Sequence, residues 1–249
     1  MYIAFLFILG GIFGSFINCL VYRIHEEETM FGRSHCPNCK HILGFFDLFP
    51  FFSYILLFGK CRYCKKKIAL QYFAVEFFTG LLFAFGSIFI NNPLFLFFYI
   101  IISLFLLIIF MYDLKYYLIV DQVIYPAIVI SLLYRIIFNF DLLSIIISLA
   151  IGFLFFWIQY VVSSGKWIGG GDVLIGLMIG SLFNWQLTLL CIFMSYIIGS
   201  FVGIFLILLG KKDSSSKIPF GPFLTISIWL VFVFGDIILN WYLSILNIT

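Results

Sequence analysis

Charged side chains are scarce in this sequence. Asp, Glu, Lys and Arg make up 10% of its 249 residues, and its 35 Phe outnumber the 14 basic and 11 acidic side chains together. So few charges cannot clothe a soluble domain in water. Proline is scarce too, at six residues, and a disordered tail has little apolar surface, whereas this chain is rich in it. Six cysteines in so long a chain are too few for a secreted disulfide scaffold. What remains is 64% hydrophobic and 22% aromatic, with a mean hydropathy of +1.20. The lipid bilayer is the solvent this composition suits.

A helix needs about 20 apolar residues to cross the hydrocarbon core. Charge-free runs divided by turn residues predict an all-α integral membrane protein of about eight spans. Met1 to Tyr22 forms the first, followed by Arg23; no A-x-A-like cleavage site follows it, so it reads as a retained span. Asn91-Asn92-Pro93 breaks the next apolar stretch into a hairpin of spans, about 72–90 and 94–112. Spans at about 119–137 and 142–162 flank a turn at 139–141. Asn184-Trp185-Gln186 divides the uncharged run Val173–Gly210 into two more, and the last span covers about 219–238.

Lys and Arg set the orientation. With the N-terminus outside, thirteen of the fourteen fall in the segments 23–71, 113–118, 163–171 and 210–218, and only Arg135 lies near the opposite face. This places the polar clusters on the cytoplasmic side and both termini outside. Nothing in the chain points to nucleic acid.

Four cysteines form two C-x-x-C knuckles, Cys36-Pro37-Asn38-Cys39 and Cys61-Arg62-Tyr63-Cys64. Paired knuckles supply four thiolates, the donor set of a closed, structural zinc site. The loop lies on the reducing side by the charge count, which argues against disulfides. His35 and His41 flank the first knuckle and read as solvated loop residues, while Cys19 and Cys191 lie within spans and read as small apolar residues.

An ionisable residue within a span is a functional candidate by default. Glu76, Asp113, Asp121, Asp172 and Asp236 lie in spans or at their ends. Asp236 reads as a carboxylate that reaches the headgroups, Asp121 as a helix-start cap, and Glu76 is open between packing and function. Asp113 closes one span and Asp172 opens another at the same face, after Gly169-Gly170-Gly171, where the backbone can take unusual angles and admit a peptide. Two neighbouring carboxylates sharing a proton can hydrolyse a peptide bond. The helix dipoles suggest Asp172, at a helix N-terminus, as the ionised base and Asp113, at a C-terminus, as the acid.

At these residues the chain resembles the bacterial type IV prepilin peptidase family, membrane aspartic proteases with a Gly-x-Gly-Asp motif. Gly169-Gly170-Gly171-Asp172 matches that motif, and Asp113-Leu114-Lys115 with Asp121 matches the first-aspartate segment. Gly14-Ser15-Phe16-Ile17-Asn18, Pro50-Phe51-Phe52-Ser53-Tyr54, Gln71-Tyr72 with Val75-Glu76, and Pro219-Phe220-Gly221-Pro222-Phe223 follow the family's order. The chain departs from the family at Val120, Phe73 and Leu174, none of them a carboxylate or thiolate. The resemblance implies cleavage of the basic leader of prepilins and pseudopilins at the bacterial cytoplasmic membrane. It also implies methylation of the new N-terminus with S-adenosylmethionine as donor. On this reading residues 1–90, with the zinc loop at 23–71, are the methyltransferase part and 91–249 the six-helix peptidase part.

Two other readings fit parts of the pattern. A transporter or proton channel also carries carboxylates in spans, but near the midplane. A non-catalytic assembly factor with a zinc ribbon would keep the cysteines and have no need of the aspartates. The acidic run Glu26-Glu27-Glu28 is a solvated loop start or a docking patch for a basic leader.

Overall fold

The computed structural model describes residues 2–29, 32–210 and 217–245. Among them are nine α-helices: α1 Tyr2–His25, α2 Phe52–Leu56, α3 Leu70–Phe89, α4 Pro93–Tyr116, α5 Asp121–Phe138, α6 Leu142–Ser163, α7 Gly170–Leu182, α8 Trp185–Leu208 and α9 Gly221–Ile245. Seven of them are long and apolar enough to cross a membrane, and α7 is an eighth, shorter apolar helix. The only β-pairing among the described residues is two isolated bridges. The chain is thus the all-helical, multi-pass protein that its composition demands.

The residues expected to turn the chain do so by capping helices. Asn92 Oδ1 accepts the N–H groups of Leu94 and Phe95 at 2.9 and 3.2 Å, with Pro93 in the first helical position, where its missing N–H costs nothing. Asp141 caps α6 through Ser144 N–H, and Asn184 caps α8 through Leu187 N–H. These bonds satisfy N–H groups that a helix start leaves without intrahelical partners.

The chain divides into two compact units, Met1–Leu104 and Phe105–Thr249. In the first, α1 and α3 pack antiparallel on small residues. A Cβ on Gly10 would lie 2.8 Å from Gly80 Cα, and one on Gly14 would lie 2.7 Å from Glu76 Cα. One turn further, Asn18 Nδ2 donates to the Tyr72 carbonyl at 3.1 Å. Close backbone contact is the reading the glycines of the first span invited, and dispersion between touching helices is what holds such a pair in lipid.

In the second unit α6 packs on α7 and α8, α5 on α7, and α8 on α9. Gly152 and Ser148 of α6 meet Gly176 and Gly180 of α7 backbone to backbone. At 13 residues, α7 is about 20 Å long, short of the roughly 30 Å hydrocarbon core. Arg135 of α5 takes the C-terminal carbonyls of α7. Arg135 Nη1 donates to Phe183 O at 2.5 Å, Gly180 O at 3.0 Å and Ser148 Oγ at 2.7 Å, and Nη2 donates to Ser144 Oγ at 2.9 Å. The one basic residue off the cytoplasmic side of the charge count is a buried helix cap.

Candidate functional site

Asp113 is 6% exposed, in the last turn of α4. Its Oδ2 accepts the N–H of Gly221, the first residue of α9, at 2.9 Å. A side chain at 221 would meet that carboxylate, since a Cβ there would lie 2.5 Å from Oδ2. The segment Pro219–Phe223 thus seats the helix start against Asp113. Asp172, 9% exposed, caps its own helix, with Oδ2 accepting Gly169 N–H at 3.1 Å. The two carboxylates lie within electrostatic reach of each other. Among the described residues neither Oδ1 accepts a hydrogen bond.

Two expectations about this site need correction. Asp113 ends α4 but also faces the N-terminus of α9, so both carboxylates sit at positive helix ends and the dipoles do not tell acid from base. The three glycines adopt no left-handed angles: Gly169 has φ −76°, and neither Gly170 nor Gly171 is among the positive-φ residues. Gly171 instead makes room for Ile119, whose Cδ1 would lie 2.7 Å from an added Cβ. Gly169 and Gly170 are exposed and keep the approach to Asp172 open.

Asp121 is exposed in the first turn of α5, and Val120 rather than Asp121 is the N-cap residue. Asp236 is exposed. Sequence reasoning missed Tyr196 of α8, which donates to Gln159 Oε1 at 2.9 Å, packs its ring on Phe220 at 5.0 Å and lies within electrostatic reach of Asp172. Nothing in an apolar span marks a tyrosine 24 residues beyond the aspartate.

In the first unit the Sγ atoms of Cys36, Cys39, Cys61 and Cys64 all lie within 4.8 Å of one another. Zn–S bonds of about 2.3 Å put tetrahedral sulfurs about 3.8 Å apart, so the cluster fits a metal ion. The knuckles are built alike. Cys36 N–H bonds His41 O, and Cys61 N–H bonds Lys66 O, both at 2.9 Å; Lys40 and Lys65 turn the chain with φ +55° and +59°. Burial opposes ionisation of Cys36, but N–H groups of Cys39 and Asn38 outweigh it and bring its pKa down to about 7. For Cys39 the His41 N–H favours the thiolate, yet burial and the neighbouring Cys36 and Cys64 push it up to about 11. Such crowded thiolates call for a cation. His35 lies 3.6 Å from Glu28 and His41 stacks on Tyr63, so neither belongs to the cluster. Glu28 also pairs with Lys40 at 3.5 Å, while Glu26 and Glu27 are exposed.

Glu76, 8% exposed on α3, accepts the Phe51 N–H at 2.9 Å and lies beside the Ser15 side chain. Phe51 has φ 63° and ψ −53°, and Phe52 N–H reaches back to Pro50 O at 2.6 Å. This is a γ-turn, a strained conformation for an aromatic residue. The segments that hold Gly14 and Asn18, Phe51, Tyr72 and Glu76 thus meet at one place.

Residues 8–90 match the bacterial peptidase A24 N-terminal domain, and residues 100–204 match the type IV leader peptidase family. The chain is 28% identical to the prepilin leader peptidase/N-methyltransferase of Aeromonas hydrophila, over 98% of this chain and 94% of that one. It is 29% identical to the protein of that name from Bacillus subtilis, over 97% and 98%, and 27% identical to that of Pseudomonas aeruginosa, over 95% and 92%. No solved structure matches.

Proposed function

Because the chain belongs to the type IV leader peptidase family, we propose that it removes the basic leader of type IV prepilins and pseudopilins and N-methylates the new N-terminus. The observation that carries the peptidase reading is the pair Asp113 and Asp172. Each holds one oxygen on a helix-start N–H, and the two lie within electrostatic reach of each other. The ionised member takes a proton from water, which attacks the scissile carbonyl. The protonated member donates to the carbonyl oxygen. When the tetrahedral intermediate collapses, a proton returns to the leaving amine and the pair regains its starting state. With both carboxylates on N–H donors, the roles belong to the coupled pair rather than to fixed residues.

The positive-inside pattern supports a cytoplasmic active site, at the membrane face where a prepilin holds its leader. The short α7 supports a recessed one, since its outer end is capped by Arg135 and its inner end falls roughly 10 Å short of a full crossing. A single apolar helix with a basic leader would bring its scissile bond to this depth beside the exposed Gly169 and Gly170.

Zinc held by Cys36, Cys39, Cys61 and Cys64 would lock the knuckles, and four thiolates leave no position for substrate or water. S-adenosylmethionine is the expected methyl donor. An open cleft of about 380 Å³ lined by Glu28, Arg33, His35, Lys40 and Ile42 carries both signs of charge beside an apolar side chain.

The test is purified protein in nanodiscs with a prepilin and S-adenosylmethionine, product being read by mass spectrometry. Wild type is expected to yield leader-free pilin bearing one N-terminal methyl group. Asp113→Asn and Asp172→Asn are expected to keep their zinc and yield none. An Asp113→Asn variant that cleaves at a tenth or more of the wild-type rate would transfer the role to Asp121.

A further inference from the structure

The stretch between the two knuckles does not fold like a water-exposed loop. Residues 48–59 are twelve residues without a charge, between Asp47 and Lys60. Asp47 is tied to Arg62 at 2.6 Å. The inner side of the stretch docks deep on the first unit's helices. The Phe51 ring stacks on Phe7 with centroids 5.1 Å apart, and a Cβ on Gly11 would run into that ring. Gly11 lies twelve residues before Arg23, about 18 Å along the axis of a spanning helix. The first unit's own packing therefore carries Pro50 and Phe51 to the depth of the hydrocarbon layer.

The backbone is arranged as that depth requires. Lipid offers no hydrogen-bond partners, so irregular chain survives there only when its polar groups are satisfied within the protein. Phe51 N–H goes to Glu76 and Phe52 N–H to Pro50 O. The N–H groups of Ser53, Ile55, Leu57, Phe58 and Gly59 bond carbonyls of the same stretch. The outer side is apolar and uncovered: Phe52 is 57% exposed, Leu56 74% and Phe58 88%. Phe52, Ile55 and Leu56 share one face of α2, and Phe49 continues it through ring contact with Phe52. An apolar run of this length is too short to cross and suits a re-entrant segment.

We propose that residues 48–59 form a re-entrant segment that dips into the bilayer from the face bearing the zinc knuckles, with lipid acyl chains covering Phe52, Ile55, Leu56 and Phe58. Glu76 then has a defined structural role, because its carboxylate satisfies the one N–H that the γ-turn leaves without a carbonyl. The basic residues Lys60, Lys65, Lys66 and Lys67 follow the segment where it returns to the headgroups, on the side where anionic lipid favours them.

Tryptophan placed on the outer side tests this in the full-length, zinc-loaded protein in nanodiscs. The five native tryptophans all lie at or beyond 157, so the added emission of Leu56→Trp, and of the milder Phe52→Trp, is read as a difference from the parent. The segment predicts that lipids brominated along the acyl chain remove the added emission and that aqueous iodide leaves it. Iodide quenching without bromolipid quenching would overturn the proposal, and so would emission reached by neither, which would mean that protein, such as a second copy, covers the face.

Discussion

Each unit contains a buried carboxylate that accepts a backbone N–H in a low-dielectric setting, yet the two arrangements serve different ends. In the second unit Asp113 and Asp172 take N–H groups from helix starts and keep one oxygen each without a protein partner among the described residues. Each lies within electrostatic reach of a second carboxylate, the arrangement that the proposed exchange of a proton needs. In the first unit Glu76 has no carboxylate neighbour among its interactions; it takes the N–H of a strained turn beside the Ser15 side chain. On the proposed function, the same elementary interaction serves catalysis where a second acid lies within reach and architecture where it stands alone.

The sharpest break of that comparison comes from amidation. Asp113→Asn or Asp172→Asn keeps the oxygen that accepts the N–H but removes proton exchange, and leader cleavage is expected to fall by about 10²–10⁴-fold. Zinc content, measured on the same samples, should not change. Gly221→Ala keeps both carboxyl groups in the chain but displaces that of Asp113. A displacement near 1 Å costs about 10²-fold, so single-turnover cleavage should drop with little change in substrate binding.

Replacing Cys36 or Cys61 by Ser should release the metal and loosen residues 33–68, because a closed thiolate site contributes folding free energy directly. Metal analysis with hydrogen exchange checks this, and cleavage should suffer less than methylation. Glu76→Leu orphans the Phe51 N–H, at a cost of about 1–3 kcal/mol, whereas Glu76→Gln keeps an acceptor. Denaturation in detergent should show the leucine variant clearly less stable than the glutamine one. The smallest effect is expected of Glu26 and Glu27. Glu28 is already paired with Lys40, so changing the other two to Gln should raise KM for a basic leader by a few-fold at low salt, and added salt should erase the difference.

Much of this was legible in the sequence because lipid imposes simple rules. Uncharged runs marked the spans, Asn92, Asp141 and Asn184 marked their starts, and the cysteine spacing marked the metal cluster. The contact of Asp113 with Gly221 was not legible: the residues are 108 apart, and only the fold reveals that a helix start faces the carboxylate. This is why the dipole argument for Asp113 as the acid failed. Arg135 read as an exception to the charge pattern because its partners are backbone carbonyls of α7, which carry no side-chain signature. The γ-turn at Phe51 was hidden for a related reason, since a positive φ is expected of glycine and here a carboxylate from another helix holds an aromatic residue in it.

The central claim is that Asp113 and Asp172 act as one proton-sharing unit. Cleavage of a single prepilin by wild type, Asp113→Asn, Asp172→Asn and the double variant, at equal zinc content in nanodiscs, tests it most directly. Residues that act as a unit lose function together, so the double variant is predicted to be no slower than the slower single variant. Losses that multiply in the double variant would show two independent contributions and contradict the shared dyad.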